Sequence, residues 1–225
     1  MQIILNYTSK MIISHNGPHE STTCIVFICG FMKGVETWNV TEKGKKICIE
    51  EHFSGKYKTM MVSMQEREYL NNSFDAVCTE LLGNLNLSGY KNICVVAHSY
   101  GAFYAVRIAG VYPKCKLLLL DPTLKGDVFK RYLILKKDAM SVHKLSIYDQ
   151  LPSLTALTQK TVVYIHYCIN DKGTSSDILG DIITSAKSCN KNVNSNAFVH
   201  YDWSHMIHYQ HPQRVIGDIE KLLKC

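Results

Sequence analysis

Apolar residues in this chain gather into short unbroken runs separated by stretches of helical spacing. Residues 24–29 (CIVFIC), 59–64 (TMMVSM), 92–97 (NICVVA), 116–120 (KLLLL) and 161–167 (TVVYIHY) have strand length and almost no polar interruption, the pattern of strands covered on both faces. Residues 3–6 and 11–15 read as short strands around a polar turn, and residues 197–201 as the last strand. Between residues 66 and 87 the apolar positions Leu70, Phe74, Val77, Leu81 and Leu82 recur at helical spacing. Further helices are predicted at 102–111, near 178–186 and after Pro212.

Strands that alternate with helices predict an α/β fold: a mostly parallel central sheet with helices on both faces and ligands at the carboxyl ends of the strands. The interval 123–160 breaks the rhythm with a basic, mixed-polarity stretch (KGDVFKRYLILKKDAM) and a Pro-containing loop. It predicts a small cap or lid insertion, the alternative being a surface helix with a long connection. A chain of 225 residues with 46% hydrophobic content suits one domain, 1–225, with no internal repeat.

Charge narrows the function classes. The 25 Lys and Arg against 19 Asp and Glu leave a net +6, spread thinly apart from clusters such as Lys43, Lys45, Lys46 and Lys130, Arg131, Lys136, Lys137. That is too diffuse for a nucleic-acid footprint, although it is compatible with an anionic substrate or surface. No run approaches the roughly 18 apolar residues of a membrane span, and no export signal is recognisable. The N-x-S/T sequons at Asn6, Asn39, Asn71 and Asn86 therefore carry no weight, and a cytoplasmic location is expected. Nine Cys is an odd count, and Cys24, Cys29, Cys94 and Cys168 lie inside apolar runs without C-x-x-C spacing; buried free thiols are expected, not disulfides or a metal site.

The chemistry concentrates at NICVVAHSYG, residues 92–101, where an apolar strand runs directly into Ala97-His98-Ser99-Tyr100-Gly101 and then a helix. Small residues two before and two after the Ser suit a nucleophile elbow, a sharp turn that lifts the hydroxyl above the sheet at a helix N-terminus. A Ser needs a base and an orienting acid. His205 follows the strand at 197–201, and Asp171 follows the strand at 161–167 in Ile169-Asn170-Asp171-Lys172-Gly173. Asp171 is the preferred acid; Asp121, in Leu120-Asp121-Pro122 at the end of the preceding strand, is the alternative. The backbone amides of Tyr100 and Phe31 are the candidate oxyanion donors, and the Phe31 and Trp38 side chains are either pocket walls or, at least as often for aromatics near a strand end, core packing. His205, His208 and His211 have metal-like spacing, but Pro212 and the lack of an acidic partner weigh against a metal, and no cofactor is implied.

These residues resemble the α/β-hydrolase superfamily across nearly the whole chain. In Ser204-His205-Met206-Ile207-His208-Tyr209-Gln210-His211-Pro212, the catalytic-His segment of that family is similar, with a second His three residues on and a Pro that opens the terminal helix. The resemblance implies an esterase or lipase acting on a small acyl ester or lipid-like substrate through Ser99, His205 and Asp171. A thioesterase or acyltransferase would use the same triad, and a hydrolase-like binding module would leave it idle. Cys29, Ala97 and Ser204 depart from the family's usual His, Gly and Gly without removing a catalytic atom. Oligomeric state is not legible.

Overall fold

Ten strands carry the architecture of the computed structural model, which describes residues 2–5, 11–30, 34–42, 44–64, 74–123, 161–168, 198–201 and 206–225. They are β1 (Gln2–Leu5), β2 (Met11–Asn16), β3 (Thr23–Ile28), β4 (Asn39–Glu42), β5 (Lys45–Cys48), β6 (Lys58–Met64), β7 (Asn92–His98), β8 (Lys116–Leu120), β9 (Val163–Cys168) and β10 (Phe198–Tyr201). Eight form one sheet in the order β1-β2-β6-β3-β7-β8-β9-β10. Only β1 and β2 enter it antiparallel; from β6 to β10 every neighbour is parallel. The mostly parallel central sheet expected from the apolar runs is therefore present.

Side-chain alternation along these strands builds two cores. Cys24, Val26 and Ile28 of β3 face one way with Val95, Ala97, Leu117 and Leu119, and pack against helices α2 (Phe74–Leu85) and α3 (Gly101–Val111). Ile25 and Phe27 face the other way with Cys94, Val96, Leu118 and Leu120. That face is covered by α1 (Glu51–Ser54), α4 (Ile207–Gln210) and α5 (Pro212–Lys224). A strand buried on both faces cannot show polar alternation, which is why its sequence is a continuous apolar run.

Several boundaries differ from the sequence expectation for local reasons. Within residues 66–87, the described helix spans Phe74–Leu85, and it stops where Asn86 adopts a left-handed backbone (φ 44°) that an Asn tolerates as a cap. The strand expected at 161–167 begins at Val163. The hairpin β4-β5 and α1 are additional: only Val40 and Ile47 of the hairpin pack on the core, and a pattern that sparse carries no periodic signal. The cap expected at 123–160 lies outside the described residues apart from buried Thr123, and so does the helix expected near 178–186.

A buried carboxylate fastens α5 to the sheet. Asp218 accepts from His166 Nε2 of β9 at 3.1 Å, from Arg214 Nε at 2.9 Å and from Lys221 Nζ at 2.7 Å. Burial opposes its ionisation, but the hydrogen bonds from His166 and Lys221 and the charges of His166 and Arg214 outweigh it, holding the carboxyl well below the usual range. A depressed carboxylate contributes stability above its unfolded value, near pH 3.9, and loses it as pH falls toward the lower folded value. Asp218→Asn is therefore expected to cost about 3 kcal/mol at pH 7, with the largest share from His166 because Arg214 and Lys221 are half exposed. Urea unfolding of both proteins at pH 7 and pH 3 checks this: the gap narrows at the lower pH, and a pH-independent gap contradicts the linkage.

Candidate active site

Parallel register aligns the carboxyl ends of the central strands, with Ile28 opposite Ala97, His98 opposite Leu120, and Leu120 opposite His166. The residues that follow these ends, Cys29 and Gly30 after β3, Ser99 after β7 and Asp121 after β8, thus share one edge of the sheet. Ligand sites of open parallel sheets form there.

Ser99 occupies the two-residue turn between β7 and α3 with φ 53°, a left-handed backbone that a β-carbon disfavours. Its surroundings over-determine that conformation. The Ser99 amide donates to the Leu120 carbonyl at 2.9 Å, while the Ser99 carbonyl accepts from Ala102 at 3.1 Å and from Thr123 at 3.0 Å. Strain of this kind costs on the order of 1–3 kcal/mol and persists only where tertiary contacts enforce it, typically at functional positions. Tyr100 then begins the helical turn (φ −59°, ψ −26°), which places its amide in the first turn of α3.

Close approach explains the small residues around the Ser. A β-carbon at Gly101 would lie 2.8 Å from the Cys29 carbonyl oxygen and 2.9 Å from that of Ile28. One at Gly30 would lie 2.9 Å from His98 Nδ1 and 3.3 Å from Ser99 Cβ. The end of β3 is thereby wedged against the elbow. Cys29 carries this contact onward, since its Sγ donates to the Gly34 carbonyl at 3.1 Å and its amide donates to Val62 of β6 at 3.0 Å. Burial pushes the Cys29 thiol up to about 12, only partly offset by the Trp38 and Thr37 side chains near it, so the sulfur is a protonated donor at neutral pH and not a nucleophile.

Behind Ser99, the His98 ring packs on His208 of α4 at 4.5 Å between centroids, and His208 packs on Trp38 at 5.1 Å. All three side chains are buried. Trp38 also meets Phe27 edge-on at 5.2 Å, so it belongs to the core and not to a pocket wall. The stack joins three chain segments, after β3, at the end of β7 and in α4. No local signal in the sequence announces it, because the three aromatic rings are distant in the chain.

Among the residues singled out by sequence, Ser99, Tyr100 and Asp121 come together at the sheet edge. Asp121 is fully buried with a left-handed backbone (φ 45°), and its amide donates to the His166 carbonyl at 2.7 Å. Leu120 and Thr123, which flank it in the chain, are both bonded to the Ser99 backbone, so the turn carrying Asp121 is stapled to the elbow. Phe31, Asp171 and His205 lie outside the described residues. In the chain, Asp171 follows the end of β9 by three residues and His205 follows the end of β10 by four.

The glycine contacts predict a sharp contrast within one helix. Gly101→Ala is expected to destabilise by at least about 2 kcal/mol, since both clashes are with backbone oxygens. Gly110→Ala, where nothing lies within 4 Å of the added carbon, is expected to be neutral or to stabilise by up to about 1 kcal/mol. Denaturant unfolding of the two variants checks this, and equal effects would contradict the wedge.

No protein-family model matches the chain, and no curated protein does. Solved structures do match along nearly its whole length. An alpha/beta hydrolase enzyme from the metagenome of sediments from the lagoon of Mar Chica, Morocco, superposes with a TM-score of 0.67 at 16% identity, over 100% of this chain and 98% of that one. A putative lipase from Acinetobacter baumannii gives 0.67 at 16% identity, over 99% and 90%. The thioesterase domain from the curacin biosynthetic pathway gives 0.62 at 12% identity, over 97% of each chain. Together with the strand order and the strained elbow at Ser99, these likenesses establish that the chain has the α/β-hydrolase fold.

Proposed function

We propose that the protein is a serine hydrolase that cleaves a carboxylic ester through an acyl-enzyme on Ser99. The observation that carries this reading is the Ser99 backbone, held at φ 53° by three hydrogen bonds at the carboxyl edge of a parallel sheet. A Ser whose only task was to cap a helix would need no such strain.

In the proposed cycle, His205 takes the Ser99 hydroxyl proton as Oγ attacks the acyl carbon, and the carbonyl oxygen becomes an oxyanion facing the Tyr100 and Phe31 amides. Collapse expels the alcohol, which takes the proton from His205. Water, deprotonated by the same His, then releases the acid and regenerates Ser99. The positive end of α3 favours the charge that develops beside Ser99. The named similarities to a putative lipase and a thioesterase domain support an acyl substrate, either a small ester or a lipid-like one.

Asp171 is proposed to orient His205, on the Ser, Asp, His order along the chain. A second reading gives this role to Asp121, favoured by its complete burial and by the staple between its turn and the elbow. The true acid is expected to lose on the order of 10³–10⁴ in kcat when changed to Asn, because the imidazole is no longer held in the working tautomer. Asp171→Asn and Asp121→Asn, assayed on a 4-nitrophenyl ester, separate the two readings.

Covalent labelling tests the nucleophile. A fluorophosphonate probe followed by peptide mass mapping is expected to modify Ser99 in the wild type and nothing in Ser99→Ala, with labelling strongly slowed in His205→Ala. A folded wild type that resists the probe would remove the hydrolase reading in favour of a binding module. Product analysis with an added alcohol distinguishes hydrolysis from acyl transfer.

A further inference from the structure

Two residues at the sheet edge share an unusual backbone. Ser99 (φ 53°) and Asp121 (φ 45°) are both left-handed, and each lies one residue beyond the end of a strand, β7 and β8 respectively. Each donates its amide to the next strand across: Ser99 to the Leu120 carbonyl at 2.9 Å, Asp121 to the His166 carbonyl of β9 at 2.7 Å. A left-handed residue with a β-carbon persists only where its surroundings enforce it. The two enforcements are linked, because Leu120, just before Asp121, and Thr123, two residues after it, both bond the Ser99 backbone. The last carbonyl in this stair belongs to His166.

The His166 side chain points to what holds that carbonyl. Its Nε2 donates to Asp218 of α5 at 3.1 Å, with the two side chains only 1% and 3% exposed. Val215, Ile219 and Leu222 of α5 already share an apolar core with Leu118 and Leu120. Apolar contact of that kind is non-directional, whereas a charge-assisted hydrogen bond fixes an orientation. Arg214 and Lys221, bonded to the same carboxylate from within α5, help to keep it ionised and facing His166.

We propose that His166 is a positioning residue for the nucleophile: anchored on Asp218 through its ring, it holds the Asp121 amide with its carbonyl, and the Asp121 turn holds the Ser99 backbone. This inference rests on the proposed hydrolase reading. His166 acts through the backbone and touches no reacting atom. A nucleophile held slightly out of place loses reactivity steeply, because the attack distance and direction are set before the reaction begins.

Three substitutions separate this role from docking of the helix. His166→Gln retains an N–H near the reach of Nε2, and His166→Leu removes the donor while keeping apolar volume. Arg214→Gln takes a half-exposed partner from the same carboxylate without touching β9. With 4-nitrophenyl butyrate, His166→Leu is expected to lower kcat about 10- to 100-fold with KM within about threefold, and His166→Gln to stay within about threefold of wild type. Arg214→Gln is expected to leave kcat within about twofold. Hydrogen exchange followed by NMR reads the same coupling without substrate. In His166→Leu, the Ser99 and Asp121 amides are expected to exchange at least about tenfold faster relative to the Ile25 and Val26 amides of β3. Should His166→Leu not fold, His166→Met removes the same donor with a more adaptable side chain and takes its place.

Wild-type kcat in the donor-less variant overturns the inference, as does unchanged relative exchange at Ser99 and Asp121. A His166→Gln or Arg214→Gln protein as impaired as His166→Leu overturns it too, reducing the pair to a fastening of α5. In each case a wild type that hydrolyses the ester and reacts with the fluorophosphonate leaves the hydrolase reading standing. A wild type that does neither overturns both together.

Discussion

Helix α3 meets the end of β3 at a distance that admits no β-carbon. Position 101 faces the carbonyl oxygens of Ile28 and Cys29, and on the far side of the turn position 30 faces His98 and Ser99 in the same way. These reciprocal contacts force the chain to turn within two residues between β7 and α3, and a turn that tight puts Ser99 into a left-handed backbone. Ser99 is held in that backbone at the sheet edge by its bonds to Leu120, Ala102 and Thr123. Strand register adds the second half of the constraint: Ser99 is bonded to Leu120 and Thr123, which ties the β8 turn to the elbow.

Around this point the polar groups of the interior are arranged by function of place. On the face covered by α4 and α5, His98, His208 and Trp38 stack behind the elbow. Nearby, His166 reaches Asp218 with its ring while its carbonyl holds the amide of Asp121. Residue 166 thus links the terminal helix to the turn beside Ser99. The buried Asp218, which accepts from His166 of β9 and from Arg214 and Lys221 of its own helix, ties α5 to β9. The thiols follow a simpler rule. Cys24, Cys94 and Cys115 are sealed in the core, and burial raises their pKa values, so they serve as small apolar side chains.

Legibility in the sequence tracked the periodicity of burial. The runs that became β3, β7 and β8 were readable within a residue or so because both of their faces are covered and nothing polar interrupts them. The hairpin β4-β5 was not, since two inward side chains in eight residues leave no period to detect. The elbow was readable as Ala97-His98-Ser99-Tyr100-Gly101 because its steric demand falls on adjacent positions. For Trp38 the sequence left pocket and core both open, because whether an aromatic ring after a strand meets ligand or core depends on partners such as Phe27 and His208, which lie far away in the chain.

The sequence by itself determined the alternation of buried strands and amphipathic helices, and with it the parallel sheet and the strand-turn-helix that carries Ser99. These are consequences of local patterning, since each run or turn is specified by residues within about one element's length. Tertiary structure alone decided what lies beside that serine. The left-handed backbone at Asp121, its staple to the elbow, the thiol bond from Cys29 to Gly34 and the ring stack behind His98 all depend on register between strands and on distances between segments remote in the chain. Such contacts leave no periodic trace in a sequence, because it is the packed sheet that brings their partners within reach.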